Sequence, residues 1–230
     1  MRGHDFDEYA DDYDGALNRG LAVSGERKEY FARERIVWLA QALRALRIAP
    51  RTALDFGCGT GSATPYLFEL LKVESVRGVD TSQRSVEVAH QKHGSSAAQF
   101  ALLEAHEPAA DVDLAFCNGV FHHIAPDERA EAVAYVWRSL RPGGVWAFWE
   151  NNPLNLGTRW IMSRLSFDRS AIKVRAGHAR ELLSRGGFEV IRTDHVFIFP
   201  RFLRHLRPIE RPLSGLPLGA QYQVLCRKPE

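Results

Sequence analysis

The segment Thr52-Ala53-Leu54-Asp55-Phe56 has the make-up of a short buried strand. It passes without a break into Gly57-Cys58-Gly59-Thr60-Gly61, and a helical pattern over 62–71 follows at once. A strand that opens through glycines onto a helix limits what the rest of the chain can build, because it is the entry to a sheet flanked by helices. Glycines at that place let the backbone approach a ligand closely, and the start of the helix offers free N–H groups. The alternation then repeats. Strands are expected over 76–80, 98–103, 113–118 and 145–149, with a helix over 82–93. Another helix starts near Pro126, carries Val133, Val136, Trp137 and Leu140 on one face, and stops at Arg141-Pro142-Gly143-Gly144. Upstream, Ile36, Leu39, Leu43 and Leu46 form a helical stripe within 26–47 that Pro50 ends. Strand–helix alternation with short loops gives a parallel sheet with helices on both faces.

The last part differs. A helix from Ala176 ends at Gly186-Gly187, which suit a left-handed cap, and strand patterns follow over 188–199 and 219–227. No helix separates those two, so they are expected to pair antiparallel. The expectation is an α/β fold on a seven-strand, mostly parallel sheet with an antiparallel C-terminal strand pair, in one 230-residue domain.

Composition narrows the classes. Hydrophobic residues are 45% and charged residues 25%, enough apolar surface for one core without disulfides or a structural metal. The formal charge is +2, so no chain-wide basic field points to nucleic acid. No apolar run of about 18 residues argues for a spanning helix. Residues 1–10 lack the apolar stretch of a secretory leader. Cys58, Cys117 and Cys226 are widely spaced, which argues against a disulfide framework and a zinc site. The expected location is the cytoplasm.

Three acids follow the strands. Asp55 lies two residues before the first glycine, and a carboxylate there repels a pyrophosphate by on the order of 1 kcal/mol or more in a partly desolvated cleft. The third glycine position of a dinucleotide fingerprint falls on Ser62. Asp55 therefore favours a ligand that carries an ammonium group, unless it merely caps the loop. Asp80, ending the second strand, suits the two hydroxyls of a ribose, or else complements a helix N-terminus. Glu104, with Ala105, follows the third strand, where an acid or a backbone N–H reads an adenine edge; a surface role is its plain alternative.

Taken in order, Asp55-x-Gly57-Cys58-Gly59-Thr60-Gly61, Val79-Asp80, Phe121-His122-His123-Ile124 and Leu140-Arg141-Pro142-Gly143-Gly144 resemble the motifs of the class I S-adenosylmethionine-dependent methyltransferases. The resemblance spans about residues 39–228 and is densest over 52–150. It implies a Rossmann-like sheet, S-adenosyl-L-methionine as cofactor and S-adenosyl-L-homocysteine as product. The glycine loop would hold the methionine portion, Asp80 and Thr81 the ribose side, and Glu104 and Ala105 the adenine. Asn118 and Gly119 would lie by the sulfonium. Tyr13-Asp14 resembles a Tyr-Asp pair that closes over the cofactor in this family. Residues 1–50 would then form a helical cap or lid, 51–150 the cofactor-binding half, and 151–230 the acceptor side with the closing strands.

Methyl transfer needs alignment, exclusion of water and sometimes a base. His122 and His123 follow the fourth strand at the ligand-binding edge of the sheet, and histidine titrates near neutrality. Their order in the chain does not tell which one faces the acceptor, or whether either is more than structural. Two adjacent histidines without a third ligand at suitable spacing leave no metal site. Phe121 and Trp160 are expected as apolar walls of the acceptor pocket, with His122, His123, Asn151 and Asn152 as polar anchors, beneath a flap at 157–174. Residues 200–217 mix Arg201, Arg204, His205, Arg207 and Arg211 with apolar residues, which suits peripheral contact with a membrane, a lipid-linked acceptor or packing. The expected activity is methyl transfer to a small or amphipathic acceptor, at oxygen. The rivals are a binding module that keeps the cofactor but transfers nothing, and a nicotinamide-dependent oxidoreductase.

Overall fold

The computed structural model describes residue 15, residues 20–164 and residues 171–230. Seven strands form one sheet in the order β3-β2-β1-β4-β5-β7-β6. They are β1 (Thr52–Phe56), β2 (Ser75–Asp80), β3 (Ala98–Leu102), β4 (Val112–Asn118), β5 (Leu140–Asn151), β6 (Glu189–Val196) and β7 (Gln221–Arg227). The first five run parallel, and β7 lies antiparallel between β5 and β6. Chain order reverses between β1 and β4, so the loops leaving those two strands diverge and open a crevice at their C-terminal ends.

The two faces of the sheet are packed by different elements. On one, α1 (Lys28–Ala45) sets Ile36, Leu39 and Leu43 against Ala53, Leu114 and Trp149. It shares that face with α2 (Thr64–Tyr66) and the π-helical turn Leu67–Leu71 that continues it. On the other, α4 (Arg129–Ser139) and α6 (Ala176–Arg185) pack Val133, Val136, Ala179 and Leu183 over Leu54, Trp146 and Phe148. The remaining helices are α3 (Gln83–His93), which Ser82 caps by accepting the Ser85 N–H, then α5 (Leu156–Met162) and α7 (Glu210–Leu213). No helix among the described residues is long and apolar enough to cross a membrane.

The helix expected over 62–71 is α-helical for only three residues and then widens to a π turn. Arg141-Pro142-Gly143-Gly144 stands inside β5 instead of in a loop: α4 already ends at Ser139, and Gly143 and Gly144 exchange backbone hydrogen bonds with Lys228. Gly187, not Gly186, takes the left-handed conformation after α6. The strand expected over 188–199 breaks after Val196, where Phe197 adopts φ 64° and turns the chain into the strap 197–220.

Phe121 was expected on the acceptor wall. The structure instead buries it fully in the core, with ring centroids 4.8 Å from Phe148 and 5.8 Å from Trp146. A phenylalanine so enclosed carries stability. Phe121→Ala should lower the unfolding free energy in urea by about 3–5 kcal/mol. A loss under about 1 kcal/mol would mean that the ring is not held in a packed core.

Candidate functional site

A cleft of about 1040 Å³ lies at the C-terminal edge of the sheet, over the ends of β1, β4, β5 and β7. Its first wall is the glycine loop. Gly57 has φ 71°, and a Cβ there would lie 2.4 Å from Val120 Cγ2, so the loop packs against the chain leaving β4 only because this residue is glycine. Gly59 also has positive φ, but among the described residues beyond its chain neighbours no atom stands within 4 Å of where its Cβ would be. That space belongs to the cleft. It is a cradle in which a ligand can lie against bare backbone.

The acids expected at this end are in place. Asp80 lines the cleft and fastens the loop: Gly59 N–H donates to its Oδ2 at 2.8 Å and Ser82 N–H to its Oδ1 at 3.0 Å. Asp55 also lines the cleft, yet it is almost fully buried, and no described residue donates a hydrogen bond to its carboxyl group. Burial first, and the neighbouring Asp80 charge second, push Asp55 up to about 7. Lys28 reaches from α1 to Thr60 Oγ1 at 3.4 Å, placing an ammonium group across the same end. Cys58 and Thr81 line the cleft, as do Asn118 and Gly119 at the end of β4. Gly61 lies behind it, with its Cα facing His93 and Ala89.

The adenine expectation is displaced. Glu104 and Ala105 sit exposed on a 3₁₀ turn and do not line the cleft, whereas Leu103 does. The turn presents its first, apolar residue and aims the acid at solvent. Tyr13 lies outside the described residues.

The histidines are the centre of the second half. Both line the cleft, with ring centroids 4.0 Å apart. His122 Nδ1 is 2.7 Å from Glu150 Oε2, and its backbone N–H donates to Glu150 Oε1 at 3.2 Å. Glu150 ends the apolar run of β5 and is 1% exposed. A carboxylate on Nδ1 selects the tautomer with its proton there, so acid–base chemistry on the cleft side falls to Nε2. His123 stands in a different field. Burial, then His122 beside it, push its ring down to about 2, so it stays neutral across the working pH range.

Of the expected acceptor residues, Asn151 lines the cleft. Asn152 does not: its amide is buried and donates to the carbonyls of Pro217 and Gly219, tying β5 to the strap. Trp160 does not either. It is 42% exposed on the outer side of α5, with Arg164 Cζ 4.0 Å from its ring, while Gly157, Thr158, Ile161 and Met162 of the same segment face inward. Part of the flap at 157–174 falls on residues outside those described.

The other lining comes from the two segments expected at the acceptor side, 1–50 and the strap around 200–217, through residues that were not singled out for the pocket. Tyr30, Phe31 and Arg35 of α1 and Phe197, Phe199 and Arg207 of the strap form the far wall. Phe31 and Phe197 meet edge to face at 5.0 Å; Arg207 lies over the Tyr30 ring at 4.7 Å and pairs with Glu26 at 2.9 Å. The local hint was slight: an aromatic helical residue, Phe31, one turn before the apolar stripe.

A sequence-family description, "Methyltransferase domain", matches residues 54–148. Trans-aconitate 2-methyltransferases are similar over part of the chain. That of Azoarcus sp. is 41% identical over 96 residues, 42% of this chain and 37% of the relative. That of Rhizobium leguminosarum bv. trifolii is 34% identical over 107 residues, 46% and 40% of the two. The chain thus spans about two fifths of the length of these relatives. Among solved structures, an S-adenosylmethionine-dependent methyltransferase from Thermotoga maritima superposes with TM-score 0.68 at 19% identity, covering 98% of this chain and 99% of the other. One from Mesorhizobium loti gives 0.60 at 19%, covering 82% and 96%. At that identity these structures speak for the fold.

Asp55 yields a prediction that needs no ligand. Its folded-state value near 7 lies above the unfolded 3.8, so its contribution to stability is fully present below about pH 4 and is lost as pH rises through 7. At pH 8 the ionised carboxylate then costs the fold on the order of a few kcal/mol. Asp55→Asn should raise Tm at pH 8 and leave it nearly unchanged at pH 4. An equal effect at both pH values would show that Asp55 is not held protonated by its surroundings.

Proposed function

We propose that the chain is a class I S-adenosylmethionine-dependent methyltransferase and that it methylates a hydroxyl oxygen of a small acceptor, with His122 taking the hydroxyl proton. The observation that carries this reading is the buried His122–Glu150 pair at the cleft. An acceptor that is already anionic needs no base, and a histidine oriented by a buried carboxylate is machinery for one that must lose a proton. The relatives named for trans-aconitate support a small-molecule acceptor.

The cofactor's parts suit the residues present. Asp55, a buried carboxyl group to which no described residue donates, fits the α-ammonium of the methionine portion, and Lys28 fits its carboxylate. The open space at Gly59 fits a chain lying against backbone. Each Asp80 oxygen accepts a backbone N–H, and a carboxylate oxygen can accept more than one donor, as pairing with a ribose hydroxyl requires. Leu103 and Thr81 offer an edge for the adenine. Two carboxylates facing one cleft disfavour a pyrophosphate, which weighs against a nicotinamide dinucleotide.

When bound, S-adenosylmethionine supplies a methyl carbon activated by its sulfonium and would give that methyl to the acceptor oxygen, the electrons of the methyl–sulfur bond returning to sulfur. His122 Nε2 accepts the hydroxyl proton, and Glu150 stabilises the imidazolium so formed. The aromatic wall of Tyr30, Phe31 and Phe197 excludes water and supports an apolar acceptor body.

Two measurements test this. Asp80→Ala should weaken S-adenosylhomocysteine binding by on the order of 2 kcal/mol in calorimetry. Unchanged affinity would move the ribose elsewhere. His122→Ala should lower kcat about 10²-fold or more with cofactor affinity nearly intact, and His123→Ala should lower it far less. If the His122 variant keeps its rate from pH 6 to pH 9, catalysis here is alignment alone.

A further inference from the structure

Beyond the histidines the cleft continues over β5 and β7, where Arg35 of α1 lines it. Arg35 Nε donates to Gln221 Oε1 at 2.8 Å, and Gln221 Nε2 donates to Asn151 Oδ1 at 3.0 Å. Asn151 N–H donates to Glu150 Oε2 at 3.1 Å, the same oxygen that holds His122 Nδ1. Asn151 and Gln221 face each other in register at the open ends of β5 and β7. One hydrogen-bonded array thus runs from the base to a guanidinium group. With Nε on Gln221, the several N–H donors of the two Nη groups suffice for a ligand carboxylate as well as for a neighbouring residue. Their planar fork matches the two oxygens of such a group.

Position separates this arginine from the cofactor. The glycine loop leaves β1, and Gln221 starts β7, three places along the sheet order. At the usual strand spacing the anchor of Arg35 stands roughly 14 Å from the loop, past the reach of the methionine carboxylate. His122 is held by Glu150 of β5 and Arg35 by Gln221 of the adjacent β7, and both side chains line the same cleft at the ends of those strands. Along that wall Phe31, one helical turn before Arg35, packs against Phe197.

Resting on the methyltransferase reading above, we propose that the acceptor is a hydroxy acid with a flat apolar body. Its carboxylate binds Arg35, its hydroxyl meets His122, and a ring or conjugated chain lies against Phe31 and Phe197. Arg35 is then the residue that selects acid from neutral acceptor, and Gln221 positions it. The methyl group goes to the hydroxyl and not to the carboxylate, because the guanidinium holds the carboxylate away from the base.

The test is calorimetry on the full chain saturated with S-adenosylhomocysteine, using 4-hydroxybenzoate and 4-hydroxycinnamate against their methyl esters. An acid should bind about tenfold or more tighter than its ester, as expected for a charge-assisted pair. Arg35→Met should abolish that difference, leaving ester binding and cofactor affinity within about twofold of wild type, and Arg35→Lys should restore part of it. Gln221→Leu, which leaves the charge in place, should reduce the discrimination without removing it. Equal binding of acid and ester, discrimination that survives Arg35→Met, or binding of neither acid while S-adenosylhomocysteine binds would each overturn the acceptor class and leave the methyltransferase reading standing. Failure of S-adenosylhomocysteine itself to bind would instead remove that reading.

Discussion

The buried Glu150 carboxylate holds the working edge of this sheet together. It accepts from the His122 ring, the His122 backbone and the Asn151 backbone, and it is 1% exposed. An acid so deeply buried is tolerable only when donors surround it, and removing one partner leaves an uncompensated buried group that costs about 3–5 kcal/mol. The two bonds from His122 fix the loop after β4 to the end of β5. Through Asn151 the array reaches β7 and, by way of Gln221, helix α1. The histidine loop is thus held by β5 as well as by its own turn bonds and by Arg129, whose Nε donates to the carbonyls of Phe121 and Ile124.

The strap 197–220 is tied to β5 by Asn152 and is also braced from within. Phe197 sits at φ 64°, which a bulky L residue rarely adopts. Glu210 compensates: its two carboxylate oxygens accept the N–H groups of Phe197 and Phe199 at 3.1 and 3.0 Å. The turn that ends β6 early thereby aims Phe197 and Phe199 into the cleft, whose rim the exposed Phe202 also lines, while Ile209, Leu216 and Leu218 remain exposed away from it. Local strain is stored where it shapes a binding wall.

How much of this the chain declares in advance depends on the range of each interaction. Strand and helix periodicity is local, so β1, α3, β4 and the antiparallel closing pair stand where the pattern put them. The glycine loop and Asp80 were legible for the same reason, since backbone geometry and a strand-end acid work over a few residues. The far wall was not. Arg35 meets Gln221 across 186 positions and His122 meets Glu150 across 28, and no periodicity carries such pairings. Phe121, Asn152 and Trp160 were assigned to the pocket from proximity along the chain. A loop has no fixed face, however, and in the fold the first turns into the core, the second ties down the strap and the third faces solvent. Glu104 fails in a related way: a 3₁₀ turn offers the cleft Leu103 and points its acid outward.

Asp55 and Glu150 make the division of labour in the cleft intelligible, because the same functional group is buried at both ends with opposite surroundings. Glu150 is surrounded by donors, one of them an imidazole, and its charge is already answered within the protein. Asp55 has the Asp80 charge beside it and no donor from any described residue, and burial lifts it to about 7. A carboxyl group in that setting gains a great deal from a cation arriving in the cleft, since the cation relieves both the burial and the repulsion that raise it. On the proposed function, the Asp55 end would take the cationic methyl donor and the Glu150 end the acceptor, with Asn118 and Gly119, which line the cleft at the end of β4, between them.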